Sequence, residues 1–265
     1  MYETLEIAID NGTATVWMNR PEVHNAFNAR LIADLHAACA ALDADEGVRV
    51  VVLAGRGKSF SAGADLGWMK RMAGYSQEEN LRDARALARL MRTIDRCPKP
   101  VVAAVQGAAY GGGVGLVAAC DIAIAADNAG FCLSEVKLGL IPAVISPYVV
   151  AAIGERASRR YFLTAERFSA DEAHRLGLVH QVVAADALAA AVADTLARLA
   201  EGGPAAQAAA KDLIAGVTRP EPGVDVLDWT AQRIAAVRAS DEGREGVGAF
   251  LEKRKPRWRT PGAEG

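Results

Sequence analysis

VVAAVQGAAYGGGVGLVAACD, residues 101–121, is apolar for long enough to suggest a membrane span until its glycines are counted. A span needs roughly 18 or more consecutive apolar residues held as one helix. Here Gly107 and then Gly111, Gly112 and Gly113 interrupt the run, and glycine costs order in a helix. The reading that gives each residue a role is a buried strand, VVAAV, then a glycine turn, then a helix. A strand entering a helix through such a turn is a unit of an α/β domain, and these domains place ligands at the carboxyl ends of strands. Three consecutive glycines there imply that something approaches the main chain too closely for a side chain.

The same alternation continues on both sides. TATVWMN (13–19) reads as a strand, and ARLIADLHAACAALDAD (29–45) as an amphipathic helix with Leu31, Leu35, Ala38 and Leu42 on one face. VRVVVLAG (48–55) is a continuous β-branched run, as in a strand buried on both faces. Ser76 followed by Glu79 forms a capping box for a helix over 77–97 whose apolar stripe is Leu87, Leu90, Met91 and Ile94, and Pro98 and Pro100 end it. DIAIA (121–125) and GFCLS (130–134) add strands. From about Gly154 the pattern turns helical: SRRYFLTAERF (158–168), SADEAHRLG (169–177), DALAAAVADTLARLAE (186–201), VLDWTAQRIAAVRAS (226–240) and EGVGAFLEKR (245–254), with LVHQVV (178–183) strand-like between. The expected organisation is an α/β core over 1–195 and a helical region over 196–265.

Of the 265 residues, 51% are hydrophobic and 23% charged, enough for a large core without disulfides or metals. The net charge of −2 gives no electrostatic footprint for nucleic acid or an anionic membrane. Cys39, Cys97, Cys120 and Cys132 form no C-x-x-C pair and sit among apolar neighbours, as expected of buried thiols in a reducing compartment. MYETLEIAIDNG has no basic segment followed by an apolar run, so no export signal is read, and the expected location is cytoplasmic.

Several motifs fail on inspection. GRGKS (55–59) resembles a phosphate loop, but Val52 stands where that loop requires glycine. A dinucleotide fingerprint over Gly113 and Gly115 would need a third glycine, and Ala118 holds its place. His24, His36, His174 and His180 do not pair at metal spacing, so no metal is expected. Two glycine turns remain, SFSAGADL (59–66) after VRVVVLAG and YGGGVGL (110–116) after VVAAV. Unpaired N–H groups at two such turns, one crowning a helix N-terminus, suit a developing oxyanion.

At these residues the chain resembles the enoyl-CoA hydratase/isomerase (crotonase) family. The resemblance runs through NRPEVHNAFN, GKSFSAGADL, KPVVAAVQGAAYGGGVGLVAACDIAIA, LSEVKLGLIP, RFSADEAHRLGLVHQVV and EGVGAFLEKRKPRW. ADLGWMKRMAGYSQEENLRDARAL and LGLIPAVISPYVV are similar, more narrowly, to the bacterial 3-methylglutaconyl-CoA or isohexenylglutaconyl-CoA hydratase branch. The resemblance implies a ClpP-like spiral core of repeated ββα units and a C-terminal helical trimerisation region, giving a homotrimer or a dimer of trimers. It implies no cofactor beyond the coenzyme A of the substrate.

It also implies site residues. The Ala62 and Gly112 N–H groups would hold the thioester oxygen, and Glu135 would do the proton chemistry. Val23, His24, Gly63, Ala64, Asp65, Leu66, Gly111 and Gly115 would line the acyl-CoA, with Lys253 reaching the ribose phosphate from a neighbouring subunit. The adenine-stacking aromatic falls on Ile234. Two-glutamate hydratases of the family carry their first glutamate where Gly115 stands, so Gly115 is expected to leave room for a carboxylate on the substrate. Lys70, Arg71 or Lys137 would then balance that charge. The leading expectation is hydration of a branched, carboxylated enoyl-CoA such as 3-methylglutaconyl-CoA. The alternative is a Δ3-Δ2 enoyl-CoA isomerase with a single glutamate, and from other classes an RNA-binding relative or an inactive CoA-binding scaffold.

Overall fold

Val50–Gly55 is buried along its whole length, as a strand must be when both faces of its sheet are covered. The computed structural model describes residues 2–218 and 223–259. Two compact units emerge. The first runs to Cys97 and resumes over Val101–Ala193; the second joins Pro98–Pro100 to the chain from Asp194 onward.

The first unit opens with strands β1 (Leu5–Asp10) and β2 (Thr13–Met18), helix α1 (Ala29–Ala44) and strand β3 (Val50–Gly55). Helices α2 (Leu66–Met72) and α3 (Gln77–Asp95) lead to strands β4 (Val101–Val105) and β5 (Ala108–Tyr110), then helix α4 (Gly112–Ala119). Strands β6 (Ile122–Ala126) and β7 (Gly130–Cys132) precede helix α5 (Ser146–Thr164), strand β8 (Arg167–Ser169), helix α6 (Ala170–Leu176) and strand β9 (Gln181–Val183). The larger sheet has the order β1-β2-β3-β4-β6-β9, with only the β1–β2 pair antiparallel. A smaller sheet has the order β5-β7-β8. The succession β4, β5, α4 and then β6, β7, α5 is a ββα unit used twice, each sending one strand to each sheet.

Local sequence explains most of these elements. The Asn28 side chain accepts from the Leu31 N–H at 2.8 Å and starts α1, whose Leu31, Ile32, Leu35, Ala38, Cys39 and Leu42 enter the core. Ser76 and Glu79 form the expected reciprocal cap on α3, which buries Leu90, Met91 and Ile94. None of the four cysteines is joined in a disulfide, and burial pushes the Cys39 thiol up to about 12. No helix among the described residues is long and apolar enough to cross a membrane.

One expectation fails here. SRRYFLTAERF is not a single helix: α5 begins earlier, at Ser146, and ends at Thr164, with Ala165 left-handed at φ 49°. The chain then extends as β8, antiparallel to β7, which stacks Phe168 on Phe131 at 5.5 Å and sets it against Tyr161 at 4.4 Å. That aromatic burial outweighs the helix propensity of AERF.

In the second unit, the helix α7 (Leu188–Glu201), which enters it from the first, is followed by α8 (Pro204–Thr218), α9 (Val226–Ala239) and α10 (Asp241–Leu251). Leu227, Phe250 and Leu251 remain more than 70% exposed on them.

Candidate active site

Two loops of the first unit come together at the carboxyl ends of β3 and β5. The SAGAD loop is held from one side by the chain at 24–27. Phe27 donates its N–H to the Gly63 carbonyl at 2.6 Å and accepts from the Asp65 N–H at 2.8 Å. This parallel bridge uses the groups on either side of Ala64 and leaves the Ala64 N–H with no acceptor among the described residues. Ala64 is itself exposed.

The glycine turn provides a second such donor. The Gly111 N–H is taken by the Cys132 carbonyl at 2.8 Å, and Gly111 holds φ 51°, which favours glycine. Gly112 opens α4, and like any first residue of a helix its N–H has no partner within the helix. None is found elsewhere among the described residues.

Ala62 is therefore not a free donor, contrary to the expectation. Its N–H is spent on the His24 carbonyl at 3.0 Å, which the chain at 24–27 brings against the loop together with the Phe27 bridge.

Glu135 stands beside these loops, at the head of a 3-10 turn over Glu135–Leu138. A side-chain carbon on Gly111 would lie 3.2 Å from Glu135 Oε1 and 3.9 Å from the Gly63 Cα. The absence of that carbon lets the carboxyl approach both turns. Glu135 Oε2 is buried and has no hydrogen-bond partner. Desolvation pushes its carboxyl above the ordinary carboxylate range, and a hydrogen bond from its own backbone offsets this only in part. Such a group is a better base than a solvated carboxylate when ionised and holds a proton to higher pH.

Gly115 differs from expectation more sharply. It is buried on α4, and a side-chain carbon there would stand 2.2 Å from Ile145 Cγ2 and 3.3 Å from the Met91 terminal methyl. The room predicted for a substrate carboxylate is filled by Ile145, which is 3% exposed. No second carboxylate can enter at this position while Ile145 keeps its place.

Val23 is half-buried in the turn Pro21–Val23, and exposed His24 contacts Ser59 Oγ through Nδ1 at 3.1 Å. The Asp65 carboxylate caps α2 through the Trp68 N–H at 3.0 Å and pairs with Arg20 at 2.9 Å. Those bonds hold its pKa low and commit it to the loop's shape. Leu66 is 76% exposed at the start of α2.

The profile described as enoyl-CoA hydratase/isomerase matches residues 8–261. The chain belongs to the enoyl-CoA hydratase/isomerase family. A crystal structure of an enoyl-CoA hydratase from Shewanella pealeana superposes with a TM-score of 0.93 at 45% identity, covering 97% of this chain and 96% of that one. An Alternaria alternata enoyl-CoA hydratase is 38% identical, over 94% of this chain and 80% of its own length. A crotonyl-CoA hydratase of Syntrophomonas wolfei is 33% identical, over 96% of this chain and 97% of its own. The fold is thus the crotonase fold, and the chain is an enzyme of a family that acts on acyl-CoA thioesters.

Lys253, expected at the ribose phosphate, and Ile234, which stands where the family has its adenine-stacking aromatic, lie in the second unit. Lys253 follows α10, exposed and left-handed at φ 55° with no ion pair among the described residues, and Ile234 is 49% exposed on α9. Sequence reading missed Ile145, whose role is visible only from the far side of Gly115. It also missed the bridge at Phe27, which selects Ala64 as the open donor.

Proposed function

We propose that the protein is an enoyl-CoA hydratase that adds water across the 2,3 double bond of an acyl-CoA thioester. In this reading the N–H groups of Ala64 and Gly112 bind the thioester oxygen. Glu135 takes a proton from water as the oxygen adds to C3. The electron pair of the double bond moves onto the thioester oxygen as an enolate, stabilised by the two donors and the positive end of α4. Protonated Glu135 then returns a proton to C2 as the carbonyl re-forms. The observation that carries the reading is the buried, unpartnered Glu135 Oε2 set beside two turns with open N–H groups.

Because Ile145 closes the Gly115 position, Glu135 serves as base and then as acid. The same single carboxylate supports a second reading, a Δ3-Δ2 isomerase that moves one proton between C2 and C4. For the acyl chain we take a branched, carboxylated enoyl group of the 3-methylglutaconyl type, on the resemblance of residues 64–87 and 138–150. Its charge would not sit at Gly115, and Lys70, Arg71 and Lys137 remain its candidate partners. The helical region 196–265, with its exposed Leu227, Phe250 and Leu251, is assigned to homotrimer contacts or a dimer of trimers. Lys253 is assigned to the ribose phosphate of coenzyme A.

The test is turnover against crotonyl-CoA, 3-methylglutaconyl-CoA and a 3-enoyl-CoA, with products identified by mass. Gain of one water supports the hydratase, with the larger kcat/KM expected for the glutaconyl thioester. Conversion of the 3-enoyl to the 2-enoyl thioester without mass change favours the isomerase. No turnover of any of the three refutes both.

A further inference from the structure

Asn25 and Ser61 are completely buried polar residues, and the two segments bearing the open N–H groups are both tied to them. His24 and Asn25 adopt successive left-handed conformations, φ 54° and 53°, without being glycine. Such strain persists only where surrounding bonds impose it, and it concentrates at functional sites. The Asn25 side chain supplies those bonds. Its Oδ1 accepts from the Arg20 N–H at 2.9 Å, and its Nδ2 donates to the carbonyls of Arg56 at 2.9 Å and Ser59 at 2.8 Å. The reversal aims the His24 carbonyl at the Ala62 N–H and brings Phe27 against Gly63 and Asp65. Those pairings are what leave the Ala64 N–H open.

Ser61 joins the reversal to the other donor. Its Oγ donates to the Asn25 carbonyl at 2.8 Å, its N–H to Ala108, and its carbonyl accepts from Tyr110 at 2.9 Å. A side-chain carbon on Gly113 would lie 2.5 Å from the Ser61 carbonyl oxygen, so the first turn of α4 rests directly on Ser61. One residue therefore contacts the reversal, belongs to the loop carrying Ala64, and supports the turn carrying Gly112.

We infer that Asn25 and Ser61 are positioning residues that hold the Ala64 and Gly112 N–H groups at a fixed separation for the thioester oxygen. The inference rests on the hydratase reading above and adds to it the residues that set the geometry of the donors. Oxyanion donors act only when about 2.7–3.1 Å from the oxygen, and a displacement near 1 Å can cost about 100-fold in rate.

Ser61→Ala removes one bond to the reversal while leaving the loop backbone intact. Asn25→Gly removes the amide while keeping a residue that accepts φ 53° without strain. Both are compared with wild type for kcat and KM on the best substrate. Both are also compared for the carbonyl stretch of bound carbonyl-labelled butyryl-CoA, which has no double bond to hydrate. In each variant kcat is expected to fall about 10- to 100-fold with KM within about threefold, and the carbonyl stretch to return towards its value in water. If a folded variant keeps both kcat and the wild-type stretch, the inference is wrong while the hydratase reading stands. If neither variant folds, the pair is a stability element and the positioning role falls. A wild-type protein that neither turns over nor shifts the carbonyl stretch refutes the functional reading itself.

Discussion

Gly115→Ala places a methyl group where Ile145 already is. The new carbon would stand 2.2 Å from Ile145 Cγ2 and 2.8 Å from its Cβ, whereas carbons in contact rest at about 3.5–4.0 Å. Ile145 is β-branched, so Cγ2 cannot swing clear without a change of χ1, and the residue is buried on all sides. Overpacking of this kind costs about 1–3 kcal/mol, set against about 0.8–1.0 kcal/mol gained by replacing a helical glycine with alanine. The single variant is expected to lose up to about 2 kcal/mol. Ile145→Ala alone leaves a hole and costs about 2–5 kcal/mol. In the double variant the 2.2 Å contact with Cγ2 is gone and only the 2.8 Å approach to the retained Cβ is left for a small shift to relieve, so most of the overpacking is removed and the helix keeps its gain. The two changes should then couple favourably by about 1 kcal/mol or more, as neighbours that share one volume do. The assay is denaturant unfolding of the four proteins at one concentration. Additivity within about 0.5 kcal/mol would mean that Ile145 does not close the Gly115 position, and the single-carboxylate mechanism would lose its structural basis.

Gly112→Pro removes one open N–H at the first position of a helix, where proline is accepted, so kcat should fall about 100- to 1000-fold with the fold retained by circular dichroism. Burial holds the Glu135 carboxyl above its ordinary pKa in the folded state, so it contributes stability below the unfolded pKa and loses it as pH rises through the folded one. Glu135→Gln should therefore be more stable than wild type at neutral pH, by about 1 kcal/mol for a buried unpaired group, with the gap closing as pH falls towards 4. Asp65 behaves oppositely: the Trp68 N–H and then Arg20 hold its pKa down, so its contribution is present above the unfolded value and lost as pH falls through the folded one. Asp65→Ala should lower stability by about 1–2 kcal/mol near neutrality, with the loss vanishing in acid titrations of the melting temperature.

The elements that sequence reading located are those whose cause is local. Ser76 and Glu79 cap α3 from three residues apart, and the β-branched run of β3 declares its burial without reference to any neighbour. Glu135 was reached through a resemblance spread along the chain, but its stranded Oε2 depends on packing that no spacing encodes. The choice between Ala62 and Ala64 was not legible at all. It is set by a bridge from Phe27, far away in sequence, that shifts the pattern of used and open N–H groups. Gly115 shows the same limit: a glycine signals that a side chain is excluded, not whether substrate or protein excludes it. β8 was misread because Phe168 finds aromatic partners on β7 and α5 that outweigh its local preference.

If Glu135 alone carries both proton transfers, steady-state turnover of Glu135→Gln, set beside acyl-CoA binding by the same variant, reads it out. The amide keeps the shape of the carboxyl and loses its basicity. Hydration should fall by about 100-fold or more while butyryl-CoA binds within a few-fold of wild type. A variant that binds equally and retains more than about a tenth of the wild-type rate would place the proton chemistry on another group.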